Sequence, residues 1–136
     1  MRQVARDELL DYQSYADVRD GIRREIMSIK QPRRVHLGEY LTFLFENTDT
    51  IRYQIHEMMR AEQIVRESAI EHELSTYNGL LGGERELGCC LLIEIDDPSE
   101  RDKLLSAWLG LPKHIYLQLE NDEKAYAEFD PRQVGD

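Results

Sequence analysis

The sequence has only two cysteines, and they are neighbours, Cys89 and Cys90. A disulfide that staples a fold joins separated positions, so no such staple is available. Read as residues of a strand start, the pair is two small apolar side chains; a strained vicinal disulfide or thiol sensor is the sharper alternative. Long apolar runs are also missing: nothing approaches the roughly 20 residues that a membrane helix needs. The opening residues, Met1 to Glu8, lack the apolar core of a signal peptide, which leads to an expectation of a cytoplasmic protein. Internal repeats and low-complexity tracts are absent.

The familiar catalytic signatures are absent too. There is no glycine-rich phosphate loop, no H-E-x-x-H, no C-x-x-C and no G-x-S-x-G. Arg33, Tyr53, Ala69 and Leu111 stand three residues before the four histidines, so the Glu-x-x-His pair of a ferritin-like di-iron site does not occur.

Positive charge is scarce. The 136 residues carry a formal net charge of −10, and the deficit is uneven. Residues 1–60 hold 10 Lys/Arg against 10 Asp/Glu, whereas 61–136 hold 7 against 17. Such a surface repels phosphate and disfavours bulk nucleic-acid binding.

The length suits one domain over 1–136, and the 41% apolar content supplies a core. Val18, Ile22, Ile26 and Ile29 recur at helical spacing behind Ser14, read as an N-cap, and predict a helix over 15–30 that Pro32 ends. Val35 to Leu37 and Leu41 to Phe45 read as a strand pair around Gly38-Glu39. A helix follows from Thr50 to about Glu67, with Ile51, Ile55, Met58, Met59 and Val65 as its apolar stripe. A second is expected over 68–77. A strand over 88–95, a helix from Asp97 or Ser99 to Trp108, and a hairpin of 114–120 with 124–129 complete the order. The fold class expected is α+β, a mostly antiparallel sheet with amphipathic helices on one face. A final strand with nothing behind it exposes an edge, to be covered by a partner, by a second copy or by further chain.

The densest set of chemistry-bearing residues lies between Glu46 and Asn78. Tyr53 and Glu57, and His56 and Arg60, are i, i+4 pairs on one helix, with Gln54 three residues before Glu57. Glu46, His56, Glu57 and Glu73 offer hard oxygen ligands and one imidazole, a set that suits iron, manganese or zinc. The plainer alternative is a salt-bridge network in which Glu57 pairs with an arginine of the first helix or with Arg33 or Arg34. Arg23, Arg24, Lys30, Arg33 and Arg34 form a basic run able to hold an anion or nucleotide.

Two stretches carry a resemblance. Lys30-Gln31-Pro32-Arg33-Arg34-Val35-His36-Leu37-Gly38 with Leu41-Thr42-Phe43-Leu44-Phe45-Glu46-Asn47, and Tyr53-Gln54-Ile55-His56-Glu57-Met58-Met59-Arg60-Ala61-Glu62 with Glu73-Leu74-Ser75-Thr76-Tyr77-Asn78, resemble the bacterial family called domain of unknown function thirty-five-oh-one. The resemblance implies no assigned chemistry. It does imply a neighbourhood: relatives are often encoded near rubrerythrin and an iron–sulfur oxidoreductase, and they run some tens of residues longer. On that footing Arg34, Glu46, Tyr53, Gln54, Glu57, Arg60, Glu73 and Asn78 are the candidate positions. The favoured expectation is an accessory protein that binds a redox or oxidative-stress partner, rubrerythrin-like or iron–sulfur. A metal-dependent or redox enzyme is the alternative, and an anion site at residues 23–34 is the third.

Overall fold

The computed structural model describes residues 1–129. Its elements confirm an α+β fold, with four α-helices and antiparallel sheets among the described residues. The chain divides into two compact units, Met1–Glu94 and Ile95–Asp136.

In the first unit, α1 spans Tyr12–Lys30. Its N-cap is Asp11, not Ser14: the Asp11 carboxylate accepts from the Ser14 backbone N–H at 2.8 Å and from its hydroxyl at 2.7 Å. The helix therefore starts three residues earlier than a cap at Ser14 would place it. The buried line is also rotated. Tyr15 and Ile26 are buried and Val18 is 48% exposed, so the inward stripe runs Tyr15, Arg19, Ile22, Ile26.

Strands β1, Arg34–Leu37, and β2, Leu41–Phe45, pair antiparallel around Gly38, whose φ of +67° is the left-handed conformation a tight turn asks of glycine. Strand β3, Cys89–Ile93, pairs antiparallel with the other side of β2, giving the order β1-β2-β3. Between them stand α2, Thr48–Glu62, and α3, Glu67–Asn78. Asn47 caps α2 with a reciprocal pair, Thr50 N–H to Asn47 Oδ1 and Asn47 N–H to Thr50 Oγ1, both at 2.9 Å. Gln63, at φ +51°, ends the helix in the left-handed conformation. The stripe therefore stops at Met59, and Val65 lies beyond it, 74% exposed.

The core of this unit gathers Val4, Leu9, Ile51, Ile55, Met59, Ile70 and Leu74. The N-terminal segment is docked by Asn78, whose side chain accepts from Val4 N–H at 2.9 Å and donates to Val4 C=O at 3.0 Å.

The second unit begins with α4, Pro98–Ala107, capped by Asp97. Strands β4, Tyr116–Gln118, and β5, Lys124–Tyr126, form a separate antiparallel hairpin. Tyr116 and Tyr126 meet across it with ring centroids 5.5 Å apart.

Candidate functional site

Side chains alternate between the two faces of a strand, and directly paired residues share a face. The register thus puts Arg34, Leu44 and Cys90 on one face with His36, Thr42 and Leu92. On that face Thr42 and Leu44 are buried. Arg34 and His36 line a cleft of about 600 Å³ with Met27, Ser28 and Gln31 from the end of α1. His36 Nδ1 lies 3.0 Å from Thr42 Oγ1, which donates to Glu94 at 3.2 Å. The opposite face carries Val35, Leu37, Leu41, Phe43, Phe45, Leu91 and Ile93, with Cys89 at one end and no charged side chain within the paired register. Leu37 is 58% exposed and Ile93 38%.

The same alternation separates the two cysteines. Cys89 is exposed and Cys90 is half-buried on the opposite face, so adjacent strand positions do not present the two sulfurs to each other. Burial, and then Glu46, which the thiol contacts by a hydrogen bond, push Cys90 up to about 12. Glu46 itself is buried and accepts from the Thr50 hydroxyl.

Three of the predicted site residues, Tyr53, Glu57 and Arg60, meet where α1 packs on α2. Glu57 is the centre. Arg19 grips it at both oxygens, Nε to Oε2 and Nη2 to Oε1, each at 2.8 Å. The Tyr15 hydroxyl donates to Oε2 at 2.8 Å and the Tyr53 hydroxyl to Oε1 at 3.3 Å. The bidentate arginine, ahead of the opposing cost of burial, holds the Glu57 carboxyl down at about 2. Burial, reinforced by Glu57, pushes the Tyr15 phenol well above its ordinary range. Arg60 stands 3.8 Å from Glu57.

His56 turns the other way. Its Nε2 accepts from Leu10 N–H at 2.9 Å, which requires the neutral ring protonated at Nδ1, and the ring stacks on Tyr15 at 4.7 Å. Burial, then the charge of Arg52, lower it to about 4. Lys30 sits over the Tyr53 ring, 5.0 Å from its centroid, and burial depresses its ammonium.

The structure thus brings Tyr53, Glu57 and Arg60 together and adds Tyr15 and Arg19, which motif reading did not single out. The signal was present: Tyr15 and Arg19 are i, i+4 on the true inward stripe of α1. Glu46 is one turn before Thr50, toward the sheet, and Asn78 clamps Val4. Gln54 and Glu73 are half-buried without a hydrogen bond or ion pair among the described residues. The basic run is dispersed. Arg33 donates to Phe45 C=O, Arg23 and Arg24 stay exposed on α1, and Arg34 faces the cleft. Among the described residues no three His, Cys, Asp or Glu side chains gather into a metal-ligand set. No described helix is long and apolar enough to cross a membrane.

Fold and site together define an α+β protein organised around an arginine-clamped carboxylate and an open apolar sheet face. The chain belongs to the family described as "Protein of unknown function (DUF3501)", whose model matches residues 3–136. It is similar to a solved structure from Burkholderia pseudomallei K96243, a novel protein of unknown function. Identity is 34% and the TM-score 0.86, over 92% of this chain and 71% of that one. No curated protein matches.

Proposed function

We propose that this protein is a non-catalytic accessory module that docks a partner protein on the open face of the β1–β2–β3 sheet. The observation that carries the reading is the uncharged face bearing Val35, Leu37, Leu41, Phe43, Phe45, Leu91 and Ile93 on a chain of net charge −10. Apolar side chains grouped on one side of a sheet are stabilised by being covered. The occupant that fits is a protein element with an apolar stripe of its own. Lysine or arginine beside that stripe would complement the chain's overall charge of −10.

The resemblance to a family encoded beside rubrerythrin and an iron–sulfur oxidoreductase directs the choice of partner to a redox protein of one of those kinds. Glu57 supports an accessory role over a catalytic one, because a carboxylate held near 2 by four donors is a poor general base at neutral pH.

The test is reconstitution with a purified rubrerythrin-like protein and a purified iron–sulfur oxidoreductase from the same cell, measured by calorimetry. The wild-type chain binds one of them, and Leu37→Glu or Ile93→Glu, both at exposed positions, weakens that binding at least tenfold. Absence of binding to either protein, or binding indifferent to both substitutions, sinks the reading.

A further inference from the structure

The end of α1 and strand β1 enclose the cleft of about 600 Å³ lined by Met27, Ser28, Gln31, Arg34 and His36. It lies on the sheet face opposite the apolar one, so a ligand here leaves the docking face free. Arg34 and His36 are two residues apart on β1, which puts their backbone positions about 6.6 Å apart on one face. Arg34 is exposed and makes no ion pair among the described residues. Because α1 ends at the cleft, its dipole places roughly half a negative charge there. Lys30 and Arg34, close enough for the charge of one to act on the other, outweigh it.

His36 enters this cleft with its hydrogen already placed. An ionised carboxylate only accepts, so Thr42 spends its single hydroxyl hydrogen on Glu94, at 3.2 Å. The Thr42 oxygen is then left to accept, and its donor is His36 Nδ1, at 3.0 Å. Thr42 is buried, which keeps water from replacing either partner. In the neutral ring the hydrogen therefore sits on Nδ1, and Nε2 is the lone-pair nitrogen. Nε2 makes no hydrogen bond among the described residues. The cleft thus presents a guanidinium, which only donates, beside an imidazole nitrogen that accepts.

We propose that this cleft seats a phosphate group that keeps one proton, with its ionised oxygens on the Arg34 fork and its P–OH donating to His36 Nε2. Arginine alone takes any oxyanion. The imidazole acceptor narrows the class. A fully ionised anion such as sulfate has no hydrogen to give and sets its charge against the Nε2 lone pair. Thr42 and Glu94 are positioning residues, since they act on the ligand only by fixing the His36 hydrogen. Free phosphate and a phosphate monoester share this chemistry, and the cleft, with Met27 in its wall, has room for the organic part of an ester.

The experiment is an NMR titration of the purified chain at pH 7 and matched ionic strength with inorganic phosphate, glycerol phosphate or sulfate, read at the His36 ring nitrogens and the Arg34 backbone amide. Inorganic phosphate is expected to saturate both signals with a Kd of about 1 mM, and sulfate to bind about tenfold more weakly or less. Tighter binding of glycerol phosphate than of inorganic phosphate identifies an esterified ligand, and the reverse identifies the free ion. Arg34→Gln, at an exposed position, should weaken phosphate binding about tenfold. Arg24→Gln, which removes the same charge from an exposed site on α1, should leave it unchanged. The ring nitrogens also read the tautomer: Thr42→Val should move hydrogen from Nδ1 to Nε2 and reduce the preference for phosphate over sulfate. Equal affinity for the two anions in the wild-type chain, no saturation with phosphate, or binding indifferent to Arg34→Gln overturns the assignment.

Discussion

Arg19 and Glu57, one from each of the two longest helices, form a two-point bond at 2.8 Å and 2.8 Å with both side chains largely withdrawn from solvent. The pair fixes the register of α1 on α2. The contribution of each member is set by what its loss would strand. Glu57→Ala leaves Arg19 and two tyrosine hydroxyls without an acceptor and is expected to cost about 3 kcal/mol in urea denaturation. Tyr15→Phe, losing a 2.8 Å bond at a fully buried site, should cost more than Tyr53→Phe, losing one of 3.3 Å; both should fall near 1 kcal/mol.

His56 makes folding sensitive to mild acid. Its pKa is about 4 in the folded chain against an ordinary 6.5. The unfolded chain therefore binds the extra proton first, and stability present above pH 6.5 is lost as pH falls toward 4. The loss approaches about 3 kcal/mol on the usual conversion of pKa shift to free energy. Glu57, depressed from 4.5 to about 2, adds a second loss below pH 4.5 of the same sign. Chemical denaturation across pH 4–8 should show the slope, and His56→Gln, which loses the titrating group, should flatten the part above pH 4.5.

Asn78 ties the start of the chain to the end of α3. Asn78→Leu removes both partners of the Val4 peptide group at a buried position. The expected cost is about 2 kcal/mol. The first residues should then become the earliest site of proteolysis, and limited digestion followed by mass measurement reads this directly.

The two thiols should differ. Cys90, raised to about 12, holds almost no thiolate at pH 8, whereas Cys89, although burial and Glu46 push its thiol up as well, is exposed at the strand start. A thiol reagent should label one cysteine rapidly in the folded chain and the second only after denaturation. No intramolecular disulfide should form under mild oxidation, because a strand holds adjacent side chains on opposite faces. Rapid labelling of both would contradict the register of β3.

Much of the fold was legible because it is written locally. The 3.6-residue recurrence of Ile51, Ile55 and Met59, the turn at Gly38 and the alternation of β2 each lie within one element. The boundaries shifted where two capping residues competed, as Asp11 and Ser14 did before α1. The site was half legible. The pairing of Glu57 with an arginine of the first helix follows from its place at the edge of the α2 stripe. The identity of that arginine does not, because Val18 and Tyr15 offer two rival apolar stripes on α1.

The sequence by itself determined the α+β class, the acidic surface, the helices and strands and the set of polar residues near Glu57, since composition and periodicity act over short distances. Only the tertiary structure decided that Arg19 closes on Glu57, that His56 turns away to receive Leu10 N–H, that Arg60 is left with an unmatched donor, and that one sheet face stays open. Each of these depends on contacts between residues 30 or more positions apart or on strand register, which chain neighbours do not specify.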